Sequence, residues 1–188
     1  MFDKVLDYVT VENVIPKEFC EQMIVNINGR EWQKHTWSNP DDTKRYSEKT
    51  KELDIQAIDQ SMQNQITPFL IQAGETYLQK FSETGSKMGS FISKFTPIRF
   101  NRYQEGTKMR KHYDHIHSIF DGTRKGIPIL SFVGVFNDNY EGGRMLVKDV
   151  DYPLKQGDII IMPSCFLFPH EVTEITKGTR YSFVSWAF

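Results

Sequence analysis

Short β-rich runs separated by turn residues make up the second half of the chain, and this pattern restricts the fold most. From residue 91 onward, glycine, proline and asparagine–aspartate clusters interrupt the apolar runs. The predicted strands cover residues 98–103, 109–115, 127–137, 144–150, 158–162, 166–172 and 179–188. Segment 137–143 is predicted as a hairpin connection and segment 156–158 as a tight turn. Many short strands of this kind are typical of sandwiches and barrels, including the double-sheet jelly roll.

The first 90 residues carry mainly helical signals. After Pro16, apolar residues recur at helical spacing, and Asn28-Gly29 predicts where this first helix ends. The recurring residues are Phe19, Met23, Ile24 and Ile27. The opening residues 5–14 are rich in β-branched side chains and favour a strand, whereas the polar residues 38–49 predict a mobile loop.

A second apolar stripe, from Ile55 to Phe81, predicts an amphipathic helix. Thr67-Pro68 interrupts this stripe. Either two helices meet there with Thr67 as an N-cap, or one helix is kinked. Together these patterns predict a single domain over residues 1–188, in which a mostly helical part, 1–90, packs on a β-rich core, 91–188.

Composition narrows the class of protein. The chain has 188 residues, of which 39% are hydrophobic and 25% charged, as in soluble globular proteins. The 23 basic and 24 acidic residues give a net charge of −1, which argues against a general nucleic-acid binder. No apolar run approaches a membrane span, and the first residues lack a signal-peptide pattern, so a cytoplasmic location is expected. The two cysteines form no C-x-x-C pair, which argues against a zinc ribbon or a disulfide framework.

A candidate metal site begins with His112-Tyr113-Asp114. Side chains two residues apart on a strand share a face, so His112 and Asp114 can present an imidazole and a carboxylate side by side. With one further histidine they make the facial triad of non-haem Fe(II) oxygenases. The third candidate is His170, which follows a predicted buried strand. Chance often produces H-x-D, and a histidine near a strand end is often only a hydrogen-bonded surface residue.

Arg180 adds a second kind of chemistry. It lies on a largely apolar predicted strand, where a buried cation needs a partner. Its guanidinium can bind a carboxylate through two hydrogen bonds, and Ser182, on the same face, can add a hydroxyl. Such a pair suits the distal carboxylate of a dicarboxylate. The alternative is a structural salt bridge between Arg180 and one of the many acidic residues.

Three other histidines are weaker candidates. His115 and His117 form an H-x-H that could bind a metal, but strand alternation would turn them away from His112 and Asp114. Solvent or substrate contact is the preferred interpretation of both. His35 has no neighbours at metal-binding spacing and is predicted to lie on the surface.

Several segments of the C-terminal half occur in a recognisable order. They are Arg102-Tyr103, Gly106, His112-Tyr113-Asp114, Leu130 to Asn137, Glu141-Gly142-Gly143, Gly157-Asp158 to Pro163, His170-Glu171-Val172, and Lys177 to Ser182 with Trp186. This ordered set, over roughly residues 95–188, resembles the prolyl 4-hydroxylase branch of the 2-oxoglutarate/Fe(II) dioxygenase superfamily. The set is far more specific than any one of its motifs.

The resemblance implies a fold and a ligand set. The fold would be mainly β with flanking helices (α+β), built on a double-stranded β-helix of the jelly-roll, cupin-like type. His112, Asp114 and His170 would hold the catalytic Fe(II), and Arg180 would bind 2-oxoglutarate. The remaining co-substrate residues would be Tyr103, Ser182, Val135 and Met145. O₂ is the second co-substrate, and ascorbate is a candidate reductant.

The resemblance also implies an activity. 2-Oxoglutarate and O₂ would be converted to succinate and CO₂ while a C–H bond is hydroxylated, as in prolyl 4-hydroxylases that act on a peptide or protein residue. A small-molecule substrate stays open. Two alternatives keep the fold: a catalytically inactive jelly-roll binding module, and a cupin-like metalloenzyme that uses no 2-oxoglutarate.

A substrate rim is the last prediction. Residues 41–49 and 116–127 are polar and rich in turn formers, and jelly-roll topology predicts both at the mouth of the site. Arg45, Tyr46 and Phe120 are the candidate substrate contacts. The basic segments 106–111 and 121–126 are either solvated loops or part of this contact surface.

Overall fold

Strands dominate the architecture, as the turn-rich pattern predicts. The computed structural model describes residues 3–38, 45–46, 51–81, 92, 94–114 and 128–188. The strands are β1 (Thr10–Asn13), β2 (Gln33–Lys34), β3 (Trp37–Ser38), β4 (Arg45–Tyr46), β5 (Asp54–Ala57), β6 (Arg99–Tyr103), β7 (Met109–His112), β8 (Leu130–Val135), β9 (Glu141–Gly142), β10 (Met145–Val147), β11 (Val150–Tyr152), β12 (Asp158–Pro163), β13 (His170–Val172), β14 (Ile175–Lys177) and β15 (Arg180–Ala187). A 3₁₀ helix (Asp3–Tyr8), α1 (Lys17–Asn28) and α2 (Gln60–Phe81) complete the elements.

Two antiparallel sheets form the body of the fold. The major sheet has the strand order β1-β12-β8-β15-β6-β5-β2, and the minor sheet has the order β11-β10-β13-β7. The pairs β14-β9 and β3-β4 lie outside them. Successive strands cross between the two sheets, which is the jelly-roll arrangement. The predicted fold class, mainly β with flanking helices, is confirmed.

The major sheet separates two hydrophobic cores. Strand side chains alternate between its faces. On the outer face, Phe132 and Phe183 pack with α1 and α2 in one core. On the inner face, Val133 and Val184 pack with the minor sheet in the other. All six residues of β8 are buried because both faces of this central strand are covered.

The N-terminal residues do more than pack on this core. β1 pairs with β12 at one edge of the major sheet, while β5 and β2 extend the other edge from β6. The strand predicted over residues 5–14 is correct only for Thr10–Asn13, because Asp3–Tyr8 is a 3₁₀ helix. The loop predicted over 38–49 includes β4, which pairs with β3; residues 39–44 and 47–49 lie outside the described residues.

The two predicted helices are present, but the second begins at Gln60 and not at Ile55, because Asp54–Ala57 forms β5. α1 ends at Asn28, as predicted, and buries Cys20, Met23 and Ile27. α2 is one helix that contains Pro68, and Thr67 does not cap it, since its hydroxyl donates to the carbonyl of Gln63 at 2.7 Å. The start of α2 is instead capped by Asp59, whose carboxylate accepts the backbone N–H of Met62 at 2.9 Å.

The connection after β8 is not the predicted hairpin. β8 belongs to the major sheet and β10 to the minor one, so residues 137–143 cross between sheets. Within this crossing, β9 pairs with β14. The turn predicted at residues 156–158 is confirmed by a hydrogen bond from the N–H of Asp158 to the carbonyl of Lys155. Among the described residues, no helix is both long enough and apolar enough to cross a membrane.

The packing of β8 against β15 gives a test of the fold. A Cβ added at Gly134 would overlap the ring of Phe183. We therefore predict that Gly134→Ala lowers the free energy of unfolding by about 1–3 kcal/mol, the usual cost of overpacking a core. Urea denaturation measures this change. Gly29→Ala is the control, because its new Cβ would meet nothing within 4 Å. Equal unfolding midpoints for Gly134→Ala and the parent would contradict the described packing.

Candidate metal and carboxylate site

Three predicted ligands come together between the two sheets. The imidazole Nε2 of His112 lies 3.5 Å from Asp114 Oδ1, and that of His170 lies 3.6 Å from Asp114 Oδ2. One donor atom from each residue lies within 4.8 Å of the other two. A single ion can be coordinated by donors at this spacing, and two histidines with one carboxylate are the set found in facial-triad iron sites.

Strand pairing brings the two histidines together. His170 opens β13 and lies directly opposite His112, the last residue of β7. Their ring centroids are 4.4 Å apart. Asp114 lies two residues beyond His112, past the end of β7, so strand alternation alone does not fix its position. The same-face argument for His112 and Asp114 therefore reaches the correct grouping with a strand that is shorter than predicted.

Backbone carbonyls orient both imidazoles. His112 Nδ1 lies 2.7 Å from the carbonyl oxygen of Arg110, and His170 Nδ1 lies 3.0 Å from that of Phe168. An N–H at Nδ1 donates to each carbonyl, which leaves Nε2 as the unprotonated, lone-pair nitrogen. Metal-binding histidines are commonly held in this way. Both Nε2 atoms point toward Asp114.

The charge of Asp114 fits a cation site. Its side chain is only 6% exposed, and Oδ2 is buried without a hydrogen-bond partner. Burial raises the pKa of this carboxyl, but the neighbouring imidazoles of His112 and His170 outweigh burial and hold the pKa well below its usual range. Burial lowers the pKa of His170 despite the opposing charge of Asp114. An ionised carboxylate beside an imidazole that favours its neutral form suits a divalent metal, which binds deprotonated ligands.

Arg180 is fully buried on the same inner face of the major sheet. Its Nη1 donates to the hydroxyl of Ser182 at 2.9 Å, and its Nε donates to the hydroxyl of Tyr140 at 3.2 Å. Its Nη2 is buried without a hydrogen-bond partner. Within the described part of the chain, no carboxylate pairs with Arg180. The salt-bridge alternative therefore has no partner there, and the guanidinium has capacity for an anionic ligand.

Of the other predicted co-substrate residues, Ser182 and Tyr103 contact Arg180. Its guanidinium carbon lies 5.0 Å from the ring centroid of Tyr103, whose hydroxyl pKa is raised by burial although Arg180 opposes the shift. Met145 lines the metal pocket with Tyr103. Val135 is fully buried opposite Ser182 in the strand pairing. The valine of β8 that lines the metal pocket is Val133, which lies two residues before the predicted Val135 and on the same face of the strand.

Sequence reasoning missed three polar residues of this site. Tyr140 lies in the segment predicted as a hairpin connection, and no pattern distinguishes it. Arg99 and Asn101 line the metal pocket and do have a signal, because they alternate with Phe100 on β6 and so share the face of Tyr103. Strand alternation applied to β6 would have identified both.

The remaining predictions have mixed outcomes. His35 is not on the surface: it is buried, and its Nδ1 lies 3.4 Å from Glu52 Oε2. Burial, with Arg99 nearby, lowers the pKa of His35 to about 4, so its ring is neutral at neutral pH. The backbone of Arg45 and Tyr46 forms β4. His115, His117, Phe120 and the rim segment 116–127 lie outside the described residues.

Sequence comparisons agree with this geometry. The family model of the 2OG-Fe(II) oxygenase superfamily matches residues 98–188. A PKHD-type hydroxylase of Shewanella oneidensis is 27% identical over 185 residues, which cover 95% of this chain and 76% of that protein. A PKHD-type hydroxylase of Delftia acidovorans is 34% identical over 123 residues, or 60% of this chain and 53% of that protein. The chain thus spans about half of the second relative and three quarters of the first.

Structural comparisons support the fold. A prolyl 4-hydroxylase of Pseudomonas putida superposes with a TM-score of 0.65 at 17% identity, covering 100% of this chain and 98% of that one. A Trichoplax adhaerens prolyl hydroxylase, solved with a hypoxia inducible factor peptide fragment, gives 0.69 at 14% identity, covering 98% and 86%. The matched residues 98–188 include His112, Asp114, His170 and Arg180, and the solved structures support a shared fold. The superfamily is named for 2-oxoglutarate and Fe(II), and a cluster of metal donors beside a buried guanidinium suits both.

The buried carboxylate of Asp114 gives a test of the metal site. We predict that Asp114→Asn weakens Mn(II) binding by at least about 100-fold, since changes outside the ligand shell alone cost about 10–100-fold. Isothermal titration calorimetry with Mn(II), an air-stable substitute for Fe(II), measures the affinity. Asp151→Asn is the control, because Asp151 is exposed on β11 and pairs with Arg144. Equal Mn(II) affinity in Asp114→Asn and the parent would remove Asp114 from the ligand set.

Proposed function

We propose that this protein is an Fe(II)- and 2-oxoglutarate-dependent hydroxylase that acts on a peptide or protein residue, as prolyl 4-hydroxylases do. One observation carries the proposal. A fully buried guanidinium with an unpartnered nitrogen, Arg180, shares the inter-sheet space with a cluster of metal donors. A cation buried without a carboxylate is costly, so a ligand that brings a carboxylate explains its retention.

The residues of the cluster have distinct roles in this proposal. His112, Asp114 and His170 would hold Fe(II) through the two Nε2 atoms and a carboxylate oxygen. Three protein ligands leave open positions for the co-substrates. Because Asp114 supplies one negative charge and the imidazoles are neutral, the loaded site keeps a net positive charge that favours an anionic co-substrate.

Arg180 would bind the distal carboxylate of 2-oxoglutarate. Its contacts with Ser182 and Tyr140 fix the plane of the guanidinium before the ligand arrives, which reduces the entropic cost of binding. The ring of Tyr103 covers its face, and Met145 and Val135 exclude water from the space beside it. The metal would supply O₂ activation, in which 2-oxoglutarate is oxidised to succinate and CO₂ and a C–H bond becomes C–OH.

A sequence comparison and a structural comparison support a peptide or protein substrate. The sequence relatives are PKHD-type hydroxylases, and one structural neighbour was solved with a peptide fragment.

β4 lies next to β3 in a separate two-stranded sheet, so Arg45 and Tyr46 belong to an element outside both main sheets. We propose that this element is part of the substrate rim. Ascorbate would serve as a reductant for the iron.

The two alternatives make different predictions for co-substrate turnover. An inactive binding module would not consume 2-oxoglutarate, and a cupin-like enzyme would act without binding it. Succinate production that requires both Fe(II) and O₂ would exclude both alternatives. Absence of 2-oxoglutarate binding in the metal-loaded protein would instead overturn the proposed function.

Arg180 gives the sharpest test of the co-substrate site. We predict that Arg180→Ala weakens 2-oxoglutarate binding at least about 10-fold, because a charge-assisted bidentate contact worth about 1.5–3 kcal/mol is lost. Arg180→Lys is expected to weaken binding as well, since an ammonium cannot reproduce the planar fork. Calorimetric titration of the Mn(II)-loaded protein without O₂ measures both. Arg30→Lys, at an exposed ion pair with Asp59, is the control. An unchanged affinity in both Arg180 variants would remove this residue from the site.

The proposed substrate rim is tested by measuring substrate hydroxylation separately from 2-oxoglutarate turnover. We predict that Arg45→Ala combined with Tyr46→Ala abolishes hydroxylation of a peptide substrate while substrate-independent conversion of 2-oxoglutarate continues, because the iron and co-substrate ligands are untouched. Mass spectrometry of the peptide for a gain of one oxygen and a succinate assay report the two activities. Lys17→Ala, on the exposed side of α1, is the control. Hydroxylation at the parent rate would place the substrate rim elsewhere.

A further inference from the structure

A second guanidinium, that of Arg99, faces the metal pocket. Arg99 lines this pocket with His112, Asp114 and His170. Its Nε donates to Asn101 Oδ1 at 3.1 Å, and its guanidinium carbon lies 5.7 Å from the ring centroid of Trp186. These two contacts orient the side chain and leave both terminal nitrogens without a hydrogen-bond partner among the described residues. The guanidinium of Arg99 is thus oriented, and both of its terminal nitrogens can donate hydrogen bonds to a ligand.

Arg99 also lacks a direct ion-pair partner among the described residues. Across the described ranges, no carboxylate forms an ion pair with it, whereas Arg102 on the opposite face of the same strand pairs with Asp54 at 2.9 Å. Burial lowers the pKa of Arg99, and the nearby carboxylate of Asp114 opposes this shift. The side chain is therefore a partly desolvated cation, and such a charge is stabilised by an anion that binds beside it.

The charges of the loaded site do not neutralise Arg99. In the proposed holoenzyme, the two positive charges of the metal and the one of Arg180 match those of Asp114 and doubly negative 2-oxoglutarate. The positive charge of Arg99 is left over. One further negative charge in the pocket would complete the balance, and since O₂ is neutral, the substrate is the component of the reaction that can bring it.

Strand register places Arg99 away from the co-substrate end. Arg180 lies opposite Tyr103 in the pairing of β15 with β6, whereas Arg99 lies opposite Val184. Four residues of β6 separate these positions, a distance of about 13 Å along the strand. Arg99 and Trp186 also line a neighbouring groove of about 410 Å³, which is bordered by Ile55 and Thr96. Arg99 is thus reached from this groove as well as from the metal pocket.

We propose that Arg99 binds a carboxylate of the substrate and makes this enzyme selective for acidic peptides. The Asp or Glu side chain would lie close in sequence to the oxidised residue, because Arg99 borders the metal pocket itself. The inference rests on the proposed function, whose peptide substrate it specifies. The groove contains one acid, Glu31, so a fully acidic segment is disfavoured and a single carboxylate near the reacting residue is favoured.

A peptide array tests the proposal. Each array peptide has a central proline or other apolar residue, and one flanking position carries Glu, Gln or Lys. Fluorescently labelled protein, loaded with Mn(II) and 2-oxoglutarate, is applied without O₂, so the readout is binding and not turnover. We expect the parent to bind Glu peptides about 10-fold more tightly than matched Gln peptides at one or two positions, as loss of a charge-assisted pair of hydrogen bonds predicts.

Variants of Arg99 identify the residue responsible. Arg99→Gln is expected to abolish the preference for Glu, and Arg99→Glu to reverse it toward Lys. Arg30→Gln, on the exposed surface, should keep the parent pattern. The proposal is overturned if the parent binds Glu and Gln peptides equally, if no peptide binds, or if Arg99→Gln keeps the preference for Glu.

A separate measurement distinguishes this failure from failure of the proposed function. Affinities for Mn(II) and 2-oxoglutarate, measured by calorimetry, depend on the metal ligands and Arg180 and not on the peptide. Normal co-substrate binding without charge selectivity would overturn only the role of Arg99. Loss of 2-oxoglutarate binding in the parent would overturn the proposed function as well.

Discussion

Burial of both faces of the central strand β15 is the constraint on which the rest of the structure depends. β15 lies between β8 and β6, with helices over one face and the minor sheet over the other. A strand in this position must place large apolar side chains on the helical side, as Phe183 does. Its other face is equally shielded from water, yet it carries Arg180 and Ser182. A dry, rigid wall of this kind strengthens every charge interaction in the space that it encloses.

Much of this arrangement could be predicted because it depends on local patterns. Alternation along the strands gives the two faces, and the order of H-x-D, the later histidine and Arg180 gives the candidate ligands. The errors occur where long-range pairing decides. Residues 5–8 have strand-like composition but belong to a 3₁₀ helix that ends before the pairing with β12 begins at Thr10, and residues 137–143 contain turn formers yet cross between sheets. His35 appeared isolated in sequence because its partner, Glu52, approaches only through the pairing of β2 with β5.

The inner face of the major sheet divides the site into two polar ends. At one end, a guanidinium is enclosed by Tyr103, Tyr140 and Ser182, so only a small ligand that fits this shape can replace water there. At the other end, Arg99 stands beside an open groove. The enclosed end suits a fixed co-substrate, and the open end suits ligands that vary in size. One sheet can therefore bind the same co-substrate at the Arg180 end while the Arg99 end accepts different substrates.

The pairing of β13 with β7 has a consequence for local stability. β7 is the edge strand of the minor sheet, has four residues and pairs with β13 through an irregular register. Few ladder hydrogen bonds therefore hold it. A metal ion bound by His112 and His170 would link β7 to β13 and stabilise this edge of the sheet. Amide hydrogen exchange in β7 should consequently be the part of the molecule that slows most when the metal binds, because binding to the native state suppresses local opening.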